Sequence, residues 1–186
     1  MVNTRPVVAL YGGSFDPPHQ GHQAIVDRLV SLPWLDNVII TPAWLNPFKQ
    51  HSLASAQQRL AWCRTIFDDP KVIIDAGEVE AGHPVYTAQT VGRLSAHYDV
   101  RYLVIGSDNL ATIETWYDFD QLNRAVTWLV FERKGYDTGY ETLRNYTRFT
   151  LDAPMSSSTI RAQKMIENID QRIAPSVQKI LTKGTP

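Results

Sequence analysis

The sequence predicts a doubly wound α/β domain built on a mainly parallel sheet, and three observations carry that prediction. Short apolar runs of strand length recur along the chain, amphipathic helical stretches separate them, and hydrophobic residues make up 44% of 186, enough for one continuous core. The whole chain, 1–186, reads as a single domain without internal repeat, low-complexity tract or linker.

The apolar runs are Val7 to Tyr11, Val38 to Thr41, Val72 to Asp75, Tyr102 to Ile105 and Trp128 to Phe131, each read as a buried strand. Between them, Gln23 to Ser31, Ala56 to Phe67 and Thr87 to His97 place apolar residues at three- and four-residue spacing, as a helix packed on a sheet requires. Alternating strands and helices imply right-handed crossovers, because no tight hairpin can join parallel strands. Ligands bind such sheets beyond the carboxyl ends of the strands, so residues just after Tyr11, Thr41 and Ile105 are expected to line a site. Gly135 to Gly139 reads as a surface turn. A hydroxyl-rich start at Ser156 opens a helix to Glu167, and Pro175 opens another to Thr182, giving a C-terminal helical segment over about 156–183.

Lysine and arginine total 18 against 19 aspartates and glutamates, so the net charge of −1 gives no support to nucleic-acid binding and makes any phosphate site local. The only cysteine, Cys63, sits among Leu60, Trp62, Ile66 and Phe67 and reads as a small buried hydrophobe. Met1 to Pro6 lacks a charged leader followed by an apolar stretch, and no later window reaches the length of a membrane span, so a cytoplasmic protein is expected.

Directly after the first strand comes Gly12-Gly13-Ser14-Phe15-Asp16-Pro17-Pro18-His19-Gln20-Gly21-His22, and then a helix. The glycines let backbone approach a ligand, and the helix start offers free amides and a positive dipole end to phosphate. His19 and His22, three residues apart, can face one side of the opening turn and donate to phosphate oxygens. The glycine spacing fits neither G-x-G-x-x-G nor the Walker pattern, and the pair lacks a third ligand for zinc. The segment resembles the G-G-x-F-D-P-x-H-x-G-H signature of the HxGH nucleotidyltransferase superfamily at every fixed position. That resemblance implies a Rossmann-like fold, two histidines contacting ATP phosphates, and an ATP site that includes Gly12, Gly13, Ser14, Phe15 and Asp16.

Met155-Ser156-Ser157-Ser158-Thr159-Ile160-Arg161 resembles the C-terminal I-S-S-T-x-I-R motif of the same superfamily, with methionine for isoleucine and serine for threonine. The resemblance implies that Ser156, Ser157, Ser158 and Arg161 grip the β- and γ-phosphates, for which hydroxyls, first-turn amides and a guanidinium fork are apt. Between the two motifs, Tyr86-Thr87-Ala88-Gln89-Thr90 resembles the Y-T-x-x-T stretch of bacterial nicotinate-nucleotide adenylyltransferases, and Ile105-Gly106-Ser107-Asp108-Asn109 followed by Thr115-Trp116-Tyr117 resembles their I-G-x-D…W-Y segment. Tyr86, Thr87, Trp116 and Tyr117 are then expected at the pyridine ring, with Trp116 as its platform, and Gly106 and Asp108 beside the nucleotide. Arg133 matches an R-x-G-Y motif, and Lys49 takes the place of a basic residue in P-P-H-K, although Phe48 and Asn46 depart from that motif.

The expected activity is transfer of AMP from ATP to nicotinate mononucleotide in NAD synthesis, with His19, His22, Lys49 and Arg161 as the catalytic group. Magnesium is expected on ATP, with no protein-held metal. The same chemistry on nicotinamide mononucleotide or another phosphorylated acceptor, and a non-catalytic nucleotide-binding regulator, are the alternatives. The sequence leaves oligomeric state open, a homo-oligomer included.

Overall fold

Val8, Ala9, Leu10 and Tyr11 form an unbroken apolar run because the strand that holds them is covered on both faces. The computed structural model describes residues 5–47, 50–132, 139–150, 157–163 and 165–182. Its strands are β1 (Val7–Gly13), β2 (Asn37–Pro42), β3 (Val72–Ile74), β4 (Asp99–Gly106), β5 (Thr127–Glu132) and β6 (Tyr146–Thr150). All pair in parallel, in the order β3-β2-β1-β4-β5-β6. The doubly wound parallel sheet expected from the alternation is therefore present.

Strand periodicity divides the core in two. Ala9, Tyr11, Val38, Ile40, Leu129 and Phe131 face one layer, while Val8, Leu10, Ile39, Leu103, Trp128 and Val130 face the other. The first layer is covered by α1 (Gln20–Val30), α2 (Ala56–Ile66), α6 (Ser157–Gln163) and α7 (Ala174–Thr182), through residues such as Leu29, Cys63, Ile160 and Val177. The second is covered by α4 (Thr87–Leu94) and α5 (Phe119–Ala125), through Val91, Leu94 and Leu122. A five-residue helix, α3 (Gly77–Ala81), follows β3, and a 3₁₀ segment, Ser107–Thr115, follows β4. No described helix is long and apolar enough to cross a membrane.

The five strands read from the sequence all form. β6 does not show in the sequence because, of its five residues, only Phe149 is buried, as suits an edge strand. α6 is described to Gln163, and Met165 to Glu167, expected to continue it, are not helical: the Met165 N–H donates to the Ile160 carbonyl at 3.2 Å, as at a helix end. Only Gly139 of the expected Gly135 to Gly139 turn lies within the described residues.

Candidate active site

Strand order reverses between β1 and β4, and a crevice opens beyond their carboxyl ends, where open α/β sheets take ligands. A cleft of about 610 Å³ lies there, bounded by Gly12 and Gly13 from β1, Ile105 and Gly106 from β4, and Ala43 just beyond β2. All three strand ends singled out in the sequence thus contribute. A Cβ on Gly13 would stand 3.1 Å from the Phe15 ring, whereas one on Gly12 would meet no protein atom closer than 4.0 Å. Gly13 therefore makes room for the turn, and Gly12 leaves cleft space open. Phe15 takes a positive φ of 47°, a backbone conformation that costs a bulky residue energy. Its buried ring holds it there, packed edge-on to Tyr11 and Phe67 and 5.0 Å from the ring of His22.

His19 and His22 both line the cleft and are buried, with ring centroids 3.8 Å apart. Together they form the capping box of α1. Nδ1 of His19 accepts the Gly21 N–H at 3.1 Å, and Nδ1 of His22 accepts the His19 N–H at 3.2 Å. An Nδ1 that accepts a backbone N–H carries no proton, so the neutral ring carries its proton on Nε2. The cap therefore fixes both imidazoles in one orientation and one tautomer beside the positive end of the helix dipole.

Ser14, Ser157, Ser158 and Asp108 also line the cleft. Asp16 and Arg161 are not lining residues; they brace the wall from behind. The buried Asp16 carboxylate accepts the N–H groups of Leu53 and Ala54 at 2.7 and 3.0 Å. Arg161 donates to the Asp16 carbonyl at 2.6 Å and to Ser158 Oγ at 3.2 Å, tying α6 to the glycine turn. Lys49, Arg133 and Ser156, singled out in the sequence, lie outside the described residues.

Arg59 was not anticipated. Its buried guanidinium donates to the carbonyls of Ser14, Ala43, Trp44 and Ala54 at 2.6 to 3.2 Å, joining the loops that follow β1 and β2 to the start of α2. Burial pushes its pKa down, opposed by the nearby Asp16 carboxylate. An arginine on the same helical face as Ala56, Leu60 and Cys63 was the available signal.

At the other end of the cleft stand Tyr86, Thr87, Trp116 and Tyr117. Tyr86 and Thr87 open α4, where the Tyr86 N–H donates to Gln89 Oε1 at 3.0 Å. Tyr86 and Tyr117 stack with centroids 4.8 Å apart and planes 22° apart, and both are partly exposed. Trp116 lines the cleft and also packs edge-on against Trp128 in the core, so core packing and cleft wall coincide in one side chain. Glu78 of α3, also not anticipated, is buried in the same wall, its Oε1 accepting from Thr90 Oγ1 at 2.7 Å. Burial pushes its pKa up to about 7; the Thr90 hydrogen bond works against that rise and the neighbouring Asp75 adds to it.

A six-stranded sheet in this order, with a glycine turn and a histidine-capped helix at its switch point, defines a nucleotidyltransferase fold. A family model described as cytidylyltransferase-like matches residues 10–163. A protein of a Sulfurovum species, named "Probable nicotinate-nucleotide adenylyltransferase", is 45% identical over 183 residues, 97% of either chain. A protein of the same name from a Nitratiruptor species is 41% identical over 157 residues, covering 83% of this chain and 86% of its own. The chain belongs to the cytidylyltransferase-like family and, within it, to the nicotinate-nucleotide adenylyltransferases. The fold also matches a solved Plasmodium falciparum nicotinic acid mononucleotide adenylyltransferase complexed with NaAD, with a TM-score of 0.75 at 20% identity over 96% of this chain and 95% of that one.

Proposed function

We propose that the protein transfers the AMP group of ATP to nicotinate mononucleotide, giving nicotinate adenine dinucleotide and pyrophosphate in NAD biosynthesis. The observation that carries this reading is the pair of cleft-lining histidines capping α1, in the same cleft as an aromatic and helix-start subsite at Tyr86, Thr87 and Trp116. The names of the relatives agree with it.

The acceptor's phosphate oxygen attacks the α-phosphorus of ATP in line, the bond from that phosphorus to the bridging oxygen breaks, and pyrophosphate leaves with that oxygen's electron pair. No protein nucleophile takes part. Nε2–H of His19 and of His22 donate to phosphate oxygens as charge builds in the transition state, and the first-turn amides of α1 add a fixed positive potential. Ser157 and Ser158 supply hydroxyl donors to the outer phosphates, Lys49 and Ser156 complete the phosphate grip, and Arg161 adds its charge from behind Ser158, which it holds in place. Magnesium enters with the triphosphate as part of the nucleotide substrate, held mostly by phosphate oxygens and water. Trp116 offers a face to the pyridine ring, and the amides at the start of α4 suit its carboxylate.

Pyrophosphate release from MgATP, measured with nicotinate mononucleotide, nicotinamide mononucleotide and phosphopantetheine offered separately, tests the proposal. Strong preference for the first is expected. Release with another acceptor alone would overturn the substrate assignment, and ATP binding without release would overturn the activity.

A further inference from the structure

The mechanism above gives no task to the buried carboxyl of Glu78 in the cleft wall. Glu78 shares the wall with Tyr86 and Thr87, and its partner Thr90 sits one turn along α4 from Thr87, on the same helical face. The carboxyl is thus fixed beside the helix start to which the proposed function assigns the acceptor's ring substituent.

The charges around it do not neutralise it. On α4, the Arg93 guanidinium lies across Gly77, where a Cβ would stand 2.5 Å from it, and its charge works against the rise in the Glu78 pKa, but it is engaged by Asp75 in two hydrogen bonds of 3.0 and 2.6 Å. Asp75, at the end of β3, brings a like charge, and Glu80 on α3 adds another on the side of Arg93. From β2 the Ile40 carbonyl accepts the Asp75 N–H at 2.9 Å and the Thr41 hydroxyl donates to the Asp75 carboxylate at 3.5 Å, and α2 meets α3 through apolar Ala56 and Leu60 against Val79. Among the described residues Glu78 has no ion pair, and its pKa, pushed up to about 7, agrees with that setting.

We propose that Glu78 is a specificity-determining residue: it holds a proton when an anionic ring substituent is seated at the start of α4, so the acid acceptor binds together with that proton and the uncharged amide acceptor does not require it. This rests on the acceptor reading given above. Two carboxyl groups at close range in a water-poor wall share one proton rather than both ionise. Above the titration range of Glu78, the acid acceptor must either draw a proton in or face a like charge, whereas the amide faces neither.

The test is the ratio of kcat/KM for nicotinate mononucleotide to that for nicotinamide mononucleotide, at saturating MgATP, across a pH series. Both acceptors carry the same ribose phosphate, so its titration and that of the phosphate-binding residues cancel in the ratio. In the unaltered protein the ratio falls about tenfold between about pH 6 and about pH 8.5. In Glu78→Gln, which keeps an oxygen for Thr90 but cannot titrate, it stays flat within about twofold. A flat ratio in the unaltered protein overturns the proposal even if the variant fails to fold, and so does an undiminished slope in Glu78→Gln. Pyrophosphate release with neither acceptor would instead overturn the acceptor reading, and this proposal with it.

Discussion

Serine, threonine, aspartate and asparagine are the usual helix N-caps, and His19 fills that position on α1 because its Nδ1 offers the same acceptor. In the proposed mechanism each histidine therefore has two jobs on two nitrogens: Nδ1 holds the backbone, and Nε2–H meets the phosphate. Asparagine separates these jobs, since its short amide oxygen can take the Gly21 N–H but nothing in it reaches as far as Nε2. His19→Asn is expected to unfold in urea within about 0.5 kcal/mol of the unaltered protein. Its pyrophosphate release is expected to drop by about a hundredfold. Near-normal turnover in a folded His19→Asn protein would remove the phosphate-contacting role of His19.

At the scale of elements, the cleft depends on two loops that carry little regular structure of their own, and the Arg59 guanidinium holds them against each other. One buried cation serves four carbonyls, from Ser14, Ala43, Trp44 and Ala54. Methionine at this place keeps the volume but leaves those carbonyls without their donor, and lysine offers a single nitrogen where the fork spans three. Arg59→Met is expected to lose about 3 kcal/mol of stability in a urea melt, and Arg59→Lys to recover only part of it. A loss below about 0.5 kcal/mol would show that the loops hold without it. Such braces explain which parts of the molecule were legible in its sequence. The first five strands were, because packing against both faces writes an unbroken apolar run, and so were the glycines and histidines of the first turn, whose chemistry is local to eleven consecutive residues. β6 was not, since an edge strand with one buried residue writes no such run. Glu78 and Arg59 were not, because each is defined by groups far along the chain: Thr90 for one, and the ends of β1 and β2 for the other. Asp16 was legible as part of the motif, but the amides of Leu53 and Ala54 that occupy its carboxylate were not.

For the molecule as a whole, the same buried carboxyl ties folding stability to pH. Glu78 titrates at about 7 in the fold against an ordinary 4.5, chiefly through burial, so the fold favours its neutral form. Between those values the native state holds a proton that the unfolded chain has released, and stability falls as pH rises. The contribution is intact below about 4.5 and is lost by the time the pH passes about 7. Other carboxylates act in the opposite sense. Hydrogen bonds from Thr150 and Arg148 hold Glu132 below its ordinary range, and Arg172 does the same for Asp170, so their contributions are lost as the solution is acidified. Glu78→Gln leaves those groups in place and removes only the falling limb. The stability of Glu78→Gln minus that of the unaltered protein, from urea melts at a series of pH values, is expected to increase by at most about 3 kcal/mol from pH 4.5 to pH 7.5. A difference that stays constant with pH would mean that Glu78 titrates in the fold as it does in the open chain, and the carboxyl beside the start of α4 would then be ionised throughout the working range of the enzyme.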